Sequence, residues 1–292
     1  MVTTDLLKKV RKIEIKSRGL SNHVFAGEYH SAFKGRGIAF TEVREYFPGD
    51  DIRSIDWNVT ARFNHPYVKV FEEERELTVM LLVDVSGSKE FGTQTQLKQD
   101  IMTEISAVLS FSAISNKDKV GVIFFSDKIE KFIPPKKGKS HILRIIRELI
   151  NFKPENRKTN ISGALSFFIN VVKKKCTAFI ISDFIDKNSF EDAIKISNKK
   201  HDIVAIRIFD ERETIMPDVG MVRFLDSETG EEKWINTSDA DTRQQYNIFW
   251  KKKDKELRDI FTKSGVDAVS IKTNEDYIVP LVNLFKSREA RY

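Results

Sequence analysis

Two stretches of the chain are apolar without alternation. Leu77-Thr78-Val79-Met80-Leu81-Leu82-Val83 and Cys176-Thr177-Ala178-Phe179-Ile180-Ile181-Ser182 are rich in aliphatic and β-branched residues, a composition that predicts strands buried on both faces. The second of these runs gives a strand at 177–181, similar short runs at 120–125, 131–133 and 203–208 predict further strands, and amphipathic stretches at 94–115, 140–151, 162–174 and 189–199 predict helices between them. Such alternation of strand and helix means βα units and a largely parallel sheet. Residues 128–135 fit its edge, because Pro134 and Pro135 cannot donate to a ladder. Further on, short apolar runs at 221–225 and 233–235 flank a turn ending at Gly230 and predict a hairpin. A helix over 240–263 that stops at Gly265, a strand at 268–271 and a helix at 276–285 complete the pattern. Before residue 76 the character differs: 27–76 is rich in Gly, Asp, Arg and aromatics, with short alternating stretches such as Tyr67-Val68-Lys69-Val70-Phe71. The expected organisation is a β-rich N-terminal segment, 1–76, followed by a Rossmann-like α/β domain, 77–292, with helices on both faces of a mostly parallel sheet.

Composition narrows the class. The chain has 292 residues, 40% hydrophobic and 32% charged, enough for a proper core. No apolar run approaches the roughly 18 residues of a membrane-spanning helix, and the first 18 residues are a charged amphipathic stretch with no signal-peptide apolar region. These features predict a cytoplasmic protein without a membrane span. The single cysteine, Cys176, begins a strand and is expected to fill core. Net charge is +6, with a local cluster of Lys8, Lys9, Arg11, Lys12, Lys16 and Arg18. Because Leu6, Leu7, Val10 and Ile13 interleave with it at helical spacing, it reads as the solvated face of a helix. Basic residues interleaved with aromatics, as in single-strand binders, are missing, which argues against a nucleic-acid partner. The five histidines are far apart and lack metal-ligand spacing.

The candidate chemistry lies where strands end. Asp84-Val85-Ser86-Gly87-Ser88 follows the first buried run and Asp183 follows the second, while Thr159 sits in the polar loop Lys158-Thr159-Asn160-Ile161-Ser162-Gly163. Open α/β sheets bind ligands at the carboxyl ends of their strands. Two carboxylates and three hydroxyls, all oxygen donors, suit a hard cation such as Mg²⁺. Helix capping by Asp84, Ser86 and Asp183 is the alternative reading. The constellation Asp84, Ser86, Ser88, Thr159, Asp183 resembles the metal-ion-dependent adhesion site of von Willebrand factor A (vWA) domains in order, with suitable elements between the positions. The resemblance implies Mg²⁺ or Mn²⁺ held directly by the hydroxyls, with the aspartates acting through water and one position open for a partner's Asp or Glu.

The N-terminal segment has its own signature in Gly35-Arg36-Gly37, Glu42-Val43-Arg44-Glu45-Tyr46 and Pro48-Gly49-Asp50-Asp51-Ile52-Arg53-Ser54-Ile55-Asp56-Trp57, followed by Ala61-Arg62. This resembles domain-of-unknown-function family 58, whose members join such a segment to a vWA domain. The resemblance implies partnership with a MoxR-type AAA+ ATPase as an adaptor. Physically, Arg44 and Arg53 are suited to clamp Asp50, Asp56 or Glu74, with Trp57 as a core anchor and Arg62 part of the same structural motif. Enzyme motifs fit poorly: Gly138-Lys139-Ser140 ends like a phosphate-binding loop, but Ile133 stands at the first glycine position and Pro134-Pro135 interrupt it. A metal-dependent hydrolase using Asp84 and Asp183 is the principal alternative function, and a nucleic-acid-binding module built on the N-terminal basic helix a weaker one.

Overall fold

Helix α1 (Thr3–Leu20) opens the chain, and the apolar spacing that predicts it also decides what it buries: Val10 and Ile13 face inward, with Lys8, Arg11 and Lys12 in solvent. The computed structural model describes residues 3–20, 36–63, 65–74, 77–87, 92–93, 96–154, 156, 158–225 and 232–290. Residues 33–77 form one compact unit, and 1–32 together with 78–292 form the other. Helix α1 therefore belongs to the large unit, whereas the sequence pattern groups it with 1–76.

Within the small unit, β1 (Arg36–Glu45) pairs antiparallel with β2 (Tyr67–Glu74), and the connection carries a 3₁₀ turn at Ile52–Ser54 and helix α2 (Trp57–Phe63). The clamp expected of Arg44 exists: it donates two hydrogen bonds to the Asp50 carboxylate at 2.8 and 2.7 Å, and Asp50 also accepts from Phe47 N at 2.9 Å. Asp56 accepts from the amides of Asn58 and Val59 at 3.0 and 3.3 Å and pairs with Lys69 at 3.4 Å, which fixes the start of α2. The other motif residues behave differently. Arg53 and Arg62 are exposed, and Trp57 is 67% exposed, so it is no core anchor of this unit. As the first residue of a short helix, its ring projects outward while Val68 of β2 supplies the buried contact.

The large unit continues with β3 (Thr78–Asp84), a small hairpin of β4 (Gly92–Thr93) and β5 (Gln96–Leu97), α3 (Lys98–Ser115), β6 (Lys119–Phe125), β7 (Ile129–Lys136), α4 (Lys139–Asn151), α5 (Ile161–Val171), β8 (Thr177–Ser182), α6 (Glu191–Lys200) and β9 (Asp202–Phe209). It ends with α7 (Glu211–Thr214), a hairpin of β10 (Met221–Leu225) and β11 (Glu232–Asn236), α8 (Ala240–Ser264), β12 (Asp267–Lys272) and α9 (Ile278–Glu289). The predicted turn at 226–230 lies outside the described residues. The helix expected from residue 94 begins at Lys98, because 96–97 pair in the hairpin. Helix α8 stops at Gly265, whose φ of 64° is the left-handed conformation that glycine takes without a Cβ clash.

Six strands form the main sheet in the order β12-β9-β8-β3-β6-β7, all parallel except the edge strand β7. Gly121 lets that edge approach: a Cβ there would meet Met80 Sδ at 2.7 Å and the Pro135 nitrogen at 2.9 Å. Side chains alternate between faces along a strand, so Met80, Leu82, Ile123, Phe125, Ala178 and Ile180 join Leu165, Phe168, Ile194 and Phe261 in one core. The alternate residues Val79, Leu81 and Val83 are equally buried. Helices α1, α3 and α4 pack on one another, pinned by Lys16 to Glu104 at 2.6 Å and Lys139 to Glu14 at 2.5 Å. From central β3 the chain passes to β6 on one side and later returns to β8 on the other. The crevice between β3 and β8 is thus the switch point of the sheet.

Candidate metal centre

Asp84 ends β3 and Asp183 follows the last residue of β8, so two adjacent parallel strands deliver one carboxylate each to the switch point. Both are 2% exposed. Asp84 Oδ1 accepts from Ser86 N at 2.9 Å, and Oδ2 accepts from the Ser182 hydroxyl at 2.6 Å. That same hydroxyl accepts from Phe184 N at 2.9 Å, so Ser182 couples the two strand ends. Asp183 Oδ1 accepts from Ile185 N at 3.1 Å. Phe184, between these contacts, has φ 59°, a rare conformation for a bulky residue.

Ser86 is buried beside Asp84, and Ser88 lies outside the described residues. Thr159 is also buried, held by the loop that enters α5. In that loop Asn160 N donates to Ser126 O at 2.9 Å, Asn160 Oδ1 accepts from Gly163 N at 2.8 Å, and Ile161 N donates to Asp186 Oδ2 at 2.8 Å. The Thr159 loop is therefore tied both to the end of β6 and to the loop after β8. Neither aspartate is the N-cap of α3, α5 or α6. The N-cap of α3 is Leu97 and that of α6 is Phe190, neither with a side-chain cap bond, while Asn160 caps α5.

Burial, reinforced by the charge of Asp183, pushes the Asp84 carboxyl from its ordinary 3.8 up to about 6, against the pull of hydrogen bonds from Ser182 and Ser86. Among the described residues no group of three or more His, Cys, Asp or Glu side chains could hold a metal ion, so an ion at this cleft would depend on hydroxyl and water ligands. Oxygen donors of this kind fit Mg²⁺ or Mn²⁺. His141 hydrogen-bonds to Val120 O at 2.9 Å and His201 lies 3.4 Å from Cys176 Sγ, both remote in sequence from the cleft and both buried. Burial, with the Asp202 charge, pushes the Cys176 thiol up to about 12, leaving it unreactive core.

Two participants escape a motif reading. Lys98, the first residue of α3, is 0% exposed, and its Nζ lies 3.0 Å from Asp183 Oδ2 and 2.6 Å from Glu213 Oε1. Burial opposes its charge, but Asp183 and Glu213 outweigh that and raise its pKa. Glu213 also accepts from Asp210 N at 3.2 Å in the capping box of α7, and Asp210 accepts from Thr273 at 2.6 Å. Both left a signal. Lys98 falls one turn ahead of the buried stripe Ile101, Met102, Ile105, Val108, Leu109, and Asp210 and Glu213 have capping-box spacing.

Fold and cleft together define an open, mostly parallel α/β domain with an acidic, hydroxyl-lined crevice at its switch point. The chain belongs to the family described as "Protein of unknown function DUF58", whose model matches residues 42–256. An uncharacterized protein of Mycobacterium tuberculosis is 26% identical over 300 residues, spanning 97% of this chain and 90% of that one. The protein YeaD of Bacillus subtilis, also uncharacterized, is 27% identical over 107 residues, 37% of this chain and 25% of its own. A solved structure of an aerotolerance-related membrane protein from Bacteroides fragilis superposes with a TM-score of 0.51 at 14% identity, covering 74% of this chain and all of that one, a likeness of fold. None of the described helices is long and apolar enough to cross a membrane.

Proposed function

We propose that this protein is a metal-dependent protein-interaction module of the vWA type. In this reading Ser86, Ser88 and Thr159 hold Mg²⁺ or Mn²⁺ through their hydroxyls, and Asp84 and Asp183 act through water. The bound ion supplies an electrophilic position for a partner's carboxylate. The observation that carries the reading is the pairing of Asp84 and Asp183: two buried acids at the switch point, neither of them the N-cap of α3 or α6. The raised pKa of Asp84 supports it, since a nearby cation would remove the cost of ionisation. The family signature suggests the partner, a MoxR-type AAA+ ATPase served by a cytoplasmic adaptor.

Binding to such an ATPase, measured with Mg²⁺ and with chelator, tests this. The complex should form only with metal, and Asp183→Ala should abolish it while the circular dichroism spectrum is unchanged. Capture of the ATPase that is equal in chelator defeats the reading. Metal-dependent turnover of a phosphoester or peptide without any partner, lost in Asp84→Ala, would make the cleft a hydrolase instead.

A further inference from the structure

Lys98 is placed against two physical penalties. It is wholly buried, where an ammonium loses its hydration, and it is the first residue of α3, where the helix dipole disfavours positive charge. Its methylene stem occupies a position that the buried stripe of α3 would otherwise give to an apolar residue. What holds it there is a pair of carboxylates from separate elements, Asp183 after β8 at 3.0 Å and Glu213 of α7 at 2.6 Å. Asp183 and Glu213 thus converge on its ammonium, and Asp84 lies beside Asp183 at the ends of the adjacent strands β3 and β8. Without Lys98, neighbouring acids would face one another at the mouth of the sheet whenever no metal is bound. With it, an incoming divalent ion meets a positive charge already on one of the two aspartates proposed to support it.

We propose that Lys98 is a tethered cation of the cleft, which keeps Asp183 and Glu213 assembled without a divalent ion and, by its charge, holds the affinity for that ion low enough that occupancy depends on a partner's carboxylate. This deepens the metal reading above and rests on it. The fold of the wild-type protein then needs no metal. The link also runs through Glu213 to the capping box of α7, so the segment after β9 responds to the charge at the cleft.

Titration calorimetry with MnCl2, paired with thermal melts in MnCl2 and in chelator, tests this on wild type, Lys98→Met and Lys98→Met/Glu213→Gln. The double variant removes one acid along with the ammonium and keeps the test open if the single variant does not fold. Removing the like charge should tighten Mn²⁺ binding by about ten-fold or more, the scale on which one adjacent charge moves a binding equilibrium. The variants should also gain more melting temperature from Mn²⁺ than wild type does. Binding by the variants alone, with wild type silent, supports the proposal in its strongest form. Equal or weaker Mn²⁺ affinity in the variants, with wild-type binding still lost in Asp84→Ala, overturns the role of Lys98 and leaves the metal site standing. Absence of binding in all three proteins overturns the metal site and the tethered cation together.

Discussion

Replacing Asp84 with asparagine removes a charge that the metal-free fold accommodates at a cost. The carboxyl is buried beside Asp183, and its value in the folded protein is about 6 against an ordinary 3.8. That interval corresponds to about 3 kcal/mol of destabilisation at pH 8, where wild-type Asp84 is ionised in both folded and unfolded chains. Asparagine keeps the shape and one acceptor but cannot serve both Ser86 N and the Ser182 hydroxyl, a loss of about 1 kcal/mol. The net gain is about 2 kcal/mol, or roughly 4–8 °C in melting temperature for a unit of this size. The sign follows from the direction of the shift. A folded value above the unfolded one means that the contribution of Asp84 is fully favourable below 3.8 and is lost as pH rises through about 6. Asp84→Asn should therefore melt higher than wild type in chelator at pH 8, and the margin should shrink towards pH 4. Differential scanning calorimetry across that range decides it. A variant no more stable than wild type at pH 8, or a margin that ignores pH, would refute the electrostatic account of the cleft.

Arg288 is buried and bonds to Asp202 at 2.7 and 2.6 Å and to Asp267 at 2.5 Å, joining the starts of β9 and β12. Arg288→Met should cost on the order of 3 kcal/mol in urea unfolding, because two carboxylates lose their counter-charge. Gly121→Ala should cost about 1–3 kcal/mol by the same assay, since the new methyl would lie 2.7 Å from Met80 Sδ and 2.9 Å from backbone of Pro135. In the small unit, Asp50→Ala removes the acceptor of Arg44 and of Phe47 N, so limited proteolysis should cut the 44–50 turn faster than in wild type.

The sheet was legible because its central strands bury both faces: runs such as Val79 to Val83 admit no amphipathic helix, and those of β3 and β8 run into Asp84 and Asp183. That placed Asp84 and Asp183 at the carboxyl ends of strands, and adjacency of β3 with β8 brought them together. The small unit was less legible. Its Arg, Asp and Gly pattern offered Arg44 and Arg53 as clamps on Asp50, Asp56 or Glu74, of which Arg44 on Asp50 is seen, and gave Trp57 a core position it does not hold, since a seven-residue helix on a two-stranded ribbon buries little. Lys98 was missed for a different reason. A lysine is ordinarily read as solvated surface, and only its phase against the buried stripe of α3, together with the acids arriving from β8 and α7, reveals it as interior. Such long-range charge pairing has no signature at fixed sequence spacing.

On the function proposed above, a divalent ion sits between the Asp84–Ser86 turn, the Thr159 loop and Asp183. Anomalous diffraction from crystals grown with MnCl2 locates such an ion. One strong anomalous peak is expected in this crevice, with the Ser86 and Thr159 hydroxyls as ligands, and that peak should be lost in Asp84→Ala crystals. A crevice without a peak, while manganese scatters from surface carboxylates elsewhere on the same molecule, would contradict it.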